Sequence, residues 1–274
     1  MKKILITGTK GFIGKNLLNF VRDKFRILEI NEDIFHFENW DNELETLLNN
    51  FQPDIIFHIG ACSNTMETDV NYIMKVNFEF TKILVDWVVK NNKKIIYSSS
   101  AANYGINQKY PANLYAWSKY TAEQYVISNN GIALRYYNVY GPGEEHKGNM
   151  ASIAYQFYKK NKEGKDCKLF LKNPLRDFIY VDDVVSANLY ALDNYNSLSK
   201  KYYDVGTGEA NSFEKVLNIL EIPFSYLDES HIPAGYQFYT CSDKNRWMFD
   251  WQPKFDLDSG LKRYKNYLNK LSDE

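Results

Sequence analysis

Lys3-Ile-Leu-Ile-Thr7-Gly8-Thr-Lys10-Gly11-Phe12-Ile13-Gly14 decides the fold. A short apolar run enters a glycine-rich turn, after which Ile13, Leu17, Leu18 and Val21 recur at helical spacing. A strand, a glycine turn and a helix in that order form a phosphate cradle, because residues without a side chain let the backbone approach a pyrophosphate at a helix N-terminus. The spacing is Gly-x-x-Gly-x-x-Gly, not the commoner Gly-x-Gly-x-x-Gly. A dinucleotide is the expected ligand, with Gly8, Lys10, Gly11, Phe12, Ile13 and Gly14 against it. A tight turn without a ligand is the plainer alternative, and the strand-to-helix context weighs against it.

Working outward, Arg26–Ile30 has the composition of a second strand, whose end should meet the adenosine ribose. An acid there favours the unphosphorylated cofactor, and the candidates are Glu29 and Asn31. A neutral Asn31 does not repel a 2′-phosphate and Lys10 can pair with one, whereas Glu32 and Asp33 argue for NAD; the expectation leans to NADP. Leu44–Phe51 follows as a helix and residues 54–59 as a strand ending in His58-Ile-Gly60-Ala61-Cys62-Ser63. Small residues let that strand end lie close to a cofactor, which makes Ala61 a candidate contact. The amphipathic segment Val70–Lys90 carries Asn77, a further cofactor candidate, and a strand from Lys94 to Tyr97 runs into Ser98-Ser-Ser100. Strands alternating with helices imply a Rossmann-type, doubly wound parallel α/β sheet, which binds ligands at the carboxyl ends of its strands.

At that edge the chain offers Tyr115-Ala-Trp-Ser-Lys119 within a helical segment, Leu114–Ile127. A spacing of four puts both side chains on one face, one turn apart. Free tyrosine titrates near pH ~10, and a nearby cation favours the phenolate, so this pair can take a proton from an alcohol as hydride leaves its carbon. With 22 tyrosines and 33 lysines plus arginines, the pattern alone is weak, and its placement gives it meaning. Ser100 either bonds a substrate hydroxyl or merely caps its strand.

Ile132–Tyr137 reads as another strand, and Asn138-Val-Tyr-Gly-Pro-Gly143 as its turn. The alternation then loosens: helices over 151–160 and 184–192, a short strand at 168–171, capping chemistry at Asn211-Ser-Phe-Glu214 and a closing amphipathic helix at 257–271. This implies a dinucleotide-binding domain over 1–140 with later returning segments, and a smaller, mainly substrate-binding lobe over about 141–274. Within it, Arg176 is either a surface partner of Asp177 or a guanidinium for phosphate, which it can bind bidentately.

The totals set bounds. A formal charge of −1 over 274 residues, without a long basic run, gives no reason to expect nucleic acid. No run approaches the roughly 18 apolar residues that span a bilayer, and the first residues turn directly into a strand, so no membrane partner and a cytoplasmic location are expected. Cys62, Cys167 and Cys241 are an odd number without metal-ligand spacing, and read as reduced thiols with no metal site.

Gly8–Gly14, Ser100, Tyr115-x-x-x-Lys119, Asn138-Val-Tyr-Gly-Pro142 and Arg176-Asp-Phe-Ile-Tyr-Val-Asp-Asp183 stand in an order that resembles the extended short-chain dehydrogenase/reductases acting on nucleotide sugars. Gly60-Ala-Cys-Ser-Asn-Thr65, Ser99-Ser-Ala-Ala-Asn-Tyr-Gly105, His146-Lys-Gly-Asn-Met-Ala-Ser152 and Tyr236-Gln237 resemble the branch that epimerises an ADP-linked heptose. The resemblance implies a tightly bound NAD(P), transient oxidation of a sugar alcohol to a ketone, and return of hydride to the other face. It implies Tyr115 and Lys147 as the two acid/base groups and Lys119 as support for Tyr115 and ligand of the nicotinamide ribose. Ser63, Ser100, Asn138, Lys147, Ser152, Arg176 and Tyr236 fall to a nucleotide-diphosphate sugar, ADP-heptose being favoured, and a homo-oligomer is expected. The family's 4,6-dehydratases carry an Asp-Glu pair where Ala101 and Ala102 stand here, which argues against dehydration. A 4-epimerase, a net oxidoreductase and a non-catalytic dinucleotide sensor remain the alternatives. The stretches between Asn31 and Asp54 and between Gly105 and Tyr115 are shorter than in that branch.

Overall fold

The computed structural model describes residues 1–106, 110–228 and 237–272. In chain order it contains β1 (Lys3–Thr7), α1 (Phe12–Val21), β2 (Arg26–Ile30), α2 (Trp40–Phe51), β3 (Ile55–His58), α3 (Val70–Met74), α4 (Phe80–Lys90), β4 (Lys94–Ser100), α5 (Leu114–Ser128) and β5 (Ile132–Tyr136). There follow β6 (Asn138–Tyr140), α6 (Ile153–Lys162), β7 (Lys168–Phe170), β8 (Leu175–Tyr180), α7 (Val181–Asp193), α8 (Tyr195–Leu198) and β9 (Lys201–Val205). Last come β10 (Ala210–Ser212), α9 (Phe213–Leu220), β11 (Ser225–Leu227), β12 (Tyr239–Thr240) and α10 (Leu257–Ser272).

The chain divides into two compact units: Met1–Arg135 with Val185–Tyr203, and Tyr136–Val184 with the segment from Asp204 onward. In the first, the six-stranded sheet runs β2-β1-β3-β4-β5-β9, with β1 parallel to β2 and β3, and β3 parallel to β4. The chain turns back at β1, whose carboxyl end and that of β3 therefore flank the crevice where such sheets bind ligands. Ile4, Leu5 and Ile6 are all fully buried, as a strand covered on both faces requires. One layer of that cover packs Leu44 and Leu48 of α2, Leu84, Val85 and Val88 of α4, and Ala122 and Val126 of α5 over Leu5, Ile56 and Ile95. The Rossmann-type sheet expected from the opening motif is the architecture found.

In the second unit β8 is central, antiparallel to β10 and parallel to β6 and β12, while β7 and β11 form a separate parallel pair. Its core gathers Tyr140, Tyr180, Leu217, Leu220 and the apolar stripe of α10, Leu257, Leu261, Tyr264 and Leu268, spaced by three and four as a buried helix face demands. Ser152 and Ser212 cap α6 and α9 by accepting from Tyr155 N and Lys215 N.

Two local expectations are revised, and one element is added. Ser98–Ser100 belong to β4 itself, so Ser100 ends the strand. The segment 70–90 is not one regular helix: a π turn, Lys75–Glu79, separates α3 from α4 and carries Asn77. Glu32–His36 forms a short 3₁₀ turn that sequence periodicity did not indicate. No helix among the described residues is long and apolar enough to cross a membrane.

Candidate active site

The glycine turn is closed by contacts that only hydrogen side chains permit. Gly8 has φ +71°, and a Cβ there would lie 2.5 Å from the Gly60 Cα; one on Gly14 would lie 2.1 Å from the Gly8 carbonyl oxygen. Gly11 is the N-cap of α1 and itself brings no side-chain acceptor to the first turn, and that turn holds no acid. Those N–H groups suit a pyrophosphate, so the residues present fit a dinucleotide. Phe12 is buried and Ile13 half-buried, which leaves the backbone of this turn as the holding surface.

Asn31 fastens the turn, its Oδ1 accepting from Lys10 N at 3.0 Å and Thr9 Oγ1 at 3.2 Å. Lys10, expected to meet a 2′-phosphate, already has an anion: its Nζ lies 2.5 Å from Asp33, and both side chains are exposed.

From Thr7 a hydrogen-bond chain of fixed direction runs through β3 to α4. Thr81 Oγ1 donates to Asn77 O at 2.7 Å, so it accepts from His58 Nε2 at 2.8 Å. His58 Nδ1 must then accept from Thr7 Oγ1 at 2.8 Å, which in turn accepts from Gly60 N at 2.8 Å. Burial, with the Lys119 cation nearby, holds His58 well below the usual imidazole range and hence neutral. Asn77 closes the chain with its carboxamide, accepting from Cys62 N and donating to Cys62 O and Ser118 Oγ, while Ser118 Oγ donates to Tyr115 O. Asn77 thus acts on the cofactor crevice by fixing the loop that carries Ala61; Ser63 follows on that loop, exposed.

Asn113 caps α5, accepting from Ala116 N at 2.8 Å, and this start presents Tyr115 and Lys119 on one face. Ser100 Oγ accepts from Ala102 N at 3.1 Å, capping the 3₁₀ turn Ala101–Tyr104 that follows β4, and donates to the Tyr115 phenol. The protonation of Tyr115 departs from the sequence-based expectation. Burial raises it, and the opposing influence is the Ser100 hydroxyl rather than Lys119. The physical reason is that Lys119 is itself 2% exposed, with Nζ 4.2 Å from the Tyr97 ring centre, and burial brings its amine down to about 7 despite Glu123. A phenol bonded to a serine hydroxyl, one turn from an amine poised near neutrality, can give and take a proton.

The second unit holds its own polar cluster. Lys147 is half-buried in the turn Glu145–Met150; burial lowers its amine and Glu144 opposes this. Glu144 is fully buried and accepts from Ser152 N, Ser152 Oγ, Gly141 N and the Tyr264 hydroxyl. Ser152, expected against a substrate, donates its hydroxyl to Glu144 and accepts from Tyr155 N at the start of α6. Asn138 Nδ2 donates to Asp177 O and Thr240 Oγ1. Arg176 donates to Leu175 O at 3.0 Å and to Gln237 O. Asp177 is fully buried, its carboxylate accepting from Thr207, Gly208 and Ser242. Tyr236 lies outside the described residues.

Sequence reading missed Glu123, Arg135, Glu144 and the relay role of His58. For Glu123 the signal was present: it continues the Tyr115, Lys119 spacing by four more residues, onto a face whose neighbours Ala122 and Val126 are buried.

The chain is similar to known proteins over nearly its whole length. The NAD dependent epimerase/dehydratase family matches residues 4–206. The ADP-L-glycero-D-manno-heptose-6-epimerase of Brachyspira hyodysenteriae (strain ATCC 49526 / WA1) is 34% identical over an alignment of 319 positions, covering 97% of this chain and 98% of the relative. That alignment is longer than the chain, so the relative carries segments this chain lacks. The crystal structure of the Helicobacter pylori ADP-L-glycero-D-manno-heptose-6-epimerase superposes with a TM-score of 0.83 at 27% identity, covering 98% of this chain and 96% of that one. For the fold alone, the UDP-glucose 4-epimerase of Thermotoga maritima, solved with UDP-glucose, gives 0.86 at 24% identity over 98% and 99%. The glycine turn, the strand-end serine and the Tyr-x-x-x-Lys helix all fall inside the matched segment, and the chain belongs to the NAD dependent epimerase/dehydratase family, that is, to the extended short-chain dehydrogenase/reductases.

Proposed function

We propose that this chain is a nucleotide-sugar epimerase that inverts a carbinol carbon of an ADP-linked glycero-manno-heptose, the 6-position by analogy with its relatives. The observation that carries the reading is the Ser100–Tyr115 hydrogen bond at the carboxyl end of β4, with Lys119 one helical turn away. A nicotinamide dinucleotide, when bound, supplies the reversible hydride acceptor that makes a transient ketone possible. Tyr115 takes the proton from the sugar hydroxyl on one face of the carbon as hydride leaves, and the Ser100 hydroxyl bonds the phenolic oxygen and orients it. Lys119 stands one helical turn from Tyr115 and, in its ammonium form, can bond the nicotinamide ribose. A second acid/base group is needed on the other face of the carbon, and the lowered amine of Lys147 suits it. Arg176 is assigned to the substrate diphosphate.

For the cofactor, Asn31 and Lys10 favour NADP, and Asp33, which holds Lys10, is the group that favours NAD. Mass spectrometry of the dinucleotide released on denaturation distinguishes them.

The test of function is incubation of the purified protein with ADP-heptose and no added cofactor. Appearance of the 6-epimer is the expected result. Stoichiometric cofactor reduction would instead establish a net oxidoreductase, and turnover confined to UDP-, GDP- or dTDP-sugars would overturn the heptose assignment.

A further inference from the structure

Glu123 follows Lys119 by one turn and Tyr115 by two on the same face of α5, and its side chain is fully buried. One carboxylate oxygen accepts from Ser99 Oγ at 2.6 Å, Asn103 Nδ2 at 3.1 Å and Arg135 Nε at 2.8 Å; the other accepts from Arg135 Nη2 at 2.5 Å. Ser99 immediately precedes Ser100, and Asn103 sits on the 3₁₀ turn that follows it. The carboxylate therefore grips the strand end on both sides of the serine that bonds Tyr115. Arg135, at 4% exposure, is clamped by the rings of Tyr104 and Tyr202, whose centres lie 4.4 and 3.7 Å from the guanidinium carbon. Replacing a buried ion pair by apolar residues of similar volume is often neutral or stabilising, so packing alone gives no reason for charges here.

We propose that Glu123 is a positioning residue for the reaction: its carboxylate fixes Ser100 against Tyr115 and places a negative charge one helical turn from Lys119 in the same buried setting. This rests on the epimerase reading for its kinetic part only. The groups facing Lys119 are Tyr97 from β4, His58 from β3, and Tyr115 and Glu123 from α5, with Arg135 of β5 behind Glu123. Glu123 is the acidic group among them, and burial works against the ammonium.

The test uses the full-length protein and three variants. Glu123→Gln/Arg135→Met removes both charges so that neither is left buried alone. It is expected to unfold near the wild-type temperature and bind sugar with unchanged KM, while the alkaline limb of kcat moves to lower pH by about one unit, a tenfold loss at a fixed pH on that limb. Glu123→Asp keeps the charge but shortens the reach; a severalfold lower kcat is expected with the limb unmoved. Ser99→Ala, which retains the ion pair, is expected to resemble Glu123→Asp. Lys119 is also titrated directly, without substrate, from lysine Cε NMR shifts assigned with Lys119→Met. A Lys119 titration that stays at the wild-type pH in the double variant, or in Glu123→Gln should the double variant not fold, overturns the charge role. Wild-type kcat in both Glu123→Asp and Ser99→Ala overturns the positioning role. Absence of epimerisation by the wild type bears on the proposed function and leaves the NMR titration to decide the charge role.

Discussion

Tyr115→Phe keeps the ring and removes the proton. Turnover is expected to fall by about 10²- to 10⁴-fold, the range for a positioned acid/base group, while the dinucleotide remains bound; kcat and the released cofactor are the measurements. Lys147→Ala is expected to abolish epimer formation and spare slow sugar oxidation, read from product chromatography beside cofactor absorbance. Lys119 adds a stability signature. Its folded amine titrates near 7 and an unfolded lysine near ~10.4, so between those values the unfolded chain binds more protons and stability rises with pH. Denaturation midpoints from pH 7 to 10 should rise less in Lys119→Met than in wild type. At this scale the sequence was half legible. Tyr115 and Lys119 share a helix face by spacing, and Ser100 follows from strand direction. The sign of the Tyr115 shift was not legible, because burial is tertiary and outweighs the neighbouring amine. Nor were the partners of Ser152, whose hydroxyl donates to Glu144 and accepts from Tyr155 N.

Among the elements, the turn between β1 and α1 was read almost whole, since its glycines leave a local mark. Gly14→Ala is expected to destabilise the protein by about 1–3 kcal/mol, because the added methyl would stand 2.1 Å from the Gly8 carbonyl oxygen. The same substitution should strip the dinucleotide during purification; normal retention would mean the turn does not hold it. The π turn at Lys75–Glu79 was invisible because the apolar pattern of 70–90 continues through it, and one widened turn shifts the register too little for periodicity to register. It nonetheless carries Asn77, which ties the β3 loop to α5.

At the scale of the molecule, the chain leaves the first unit after Arg135 and returns to it at Val185–Tyr203. That return follows from no local signal, because it is set by which helix closes the sheet edge. Its consequence is testable. Residues 1–140 alone lack Tyr195, whose hydroxyl accepts from Ile95 N and donates to Asn130 O, and Tyr202, whose ring covers Arg135. Such a fragment is expected to lack cooperative thermal unfolding and to be degraded rapidly by protease. A version extended through residue 205 recovers those groups in sequence.

The row of donors running from Gly60 through Thr7, His58 and Thr81 to Asn77 admits one arrangement of protons. Apolar packing gives way gradually, but links that all point one way hold or fail as a set. Loss of any hydroxyl along it should therefore loosen both ends at once, so that the glycine-bearing end of β3 and the bench on which the tyrosine stands share a single latch.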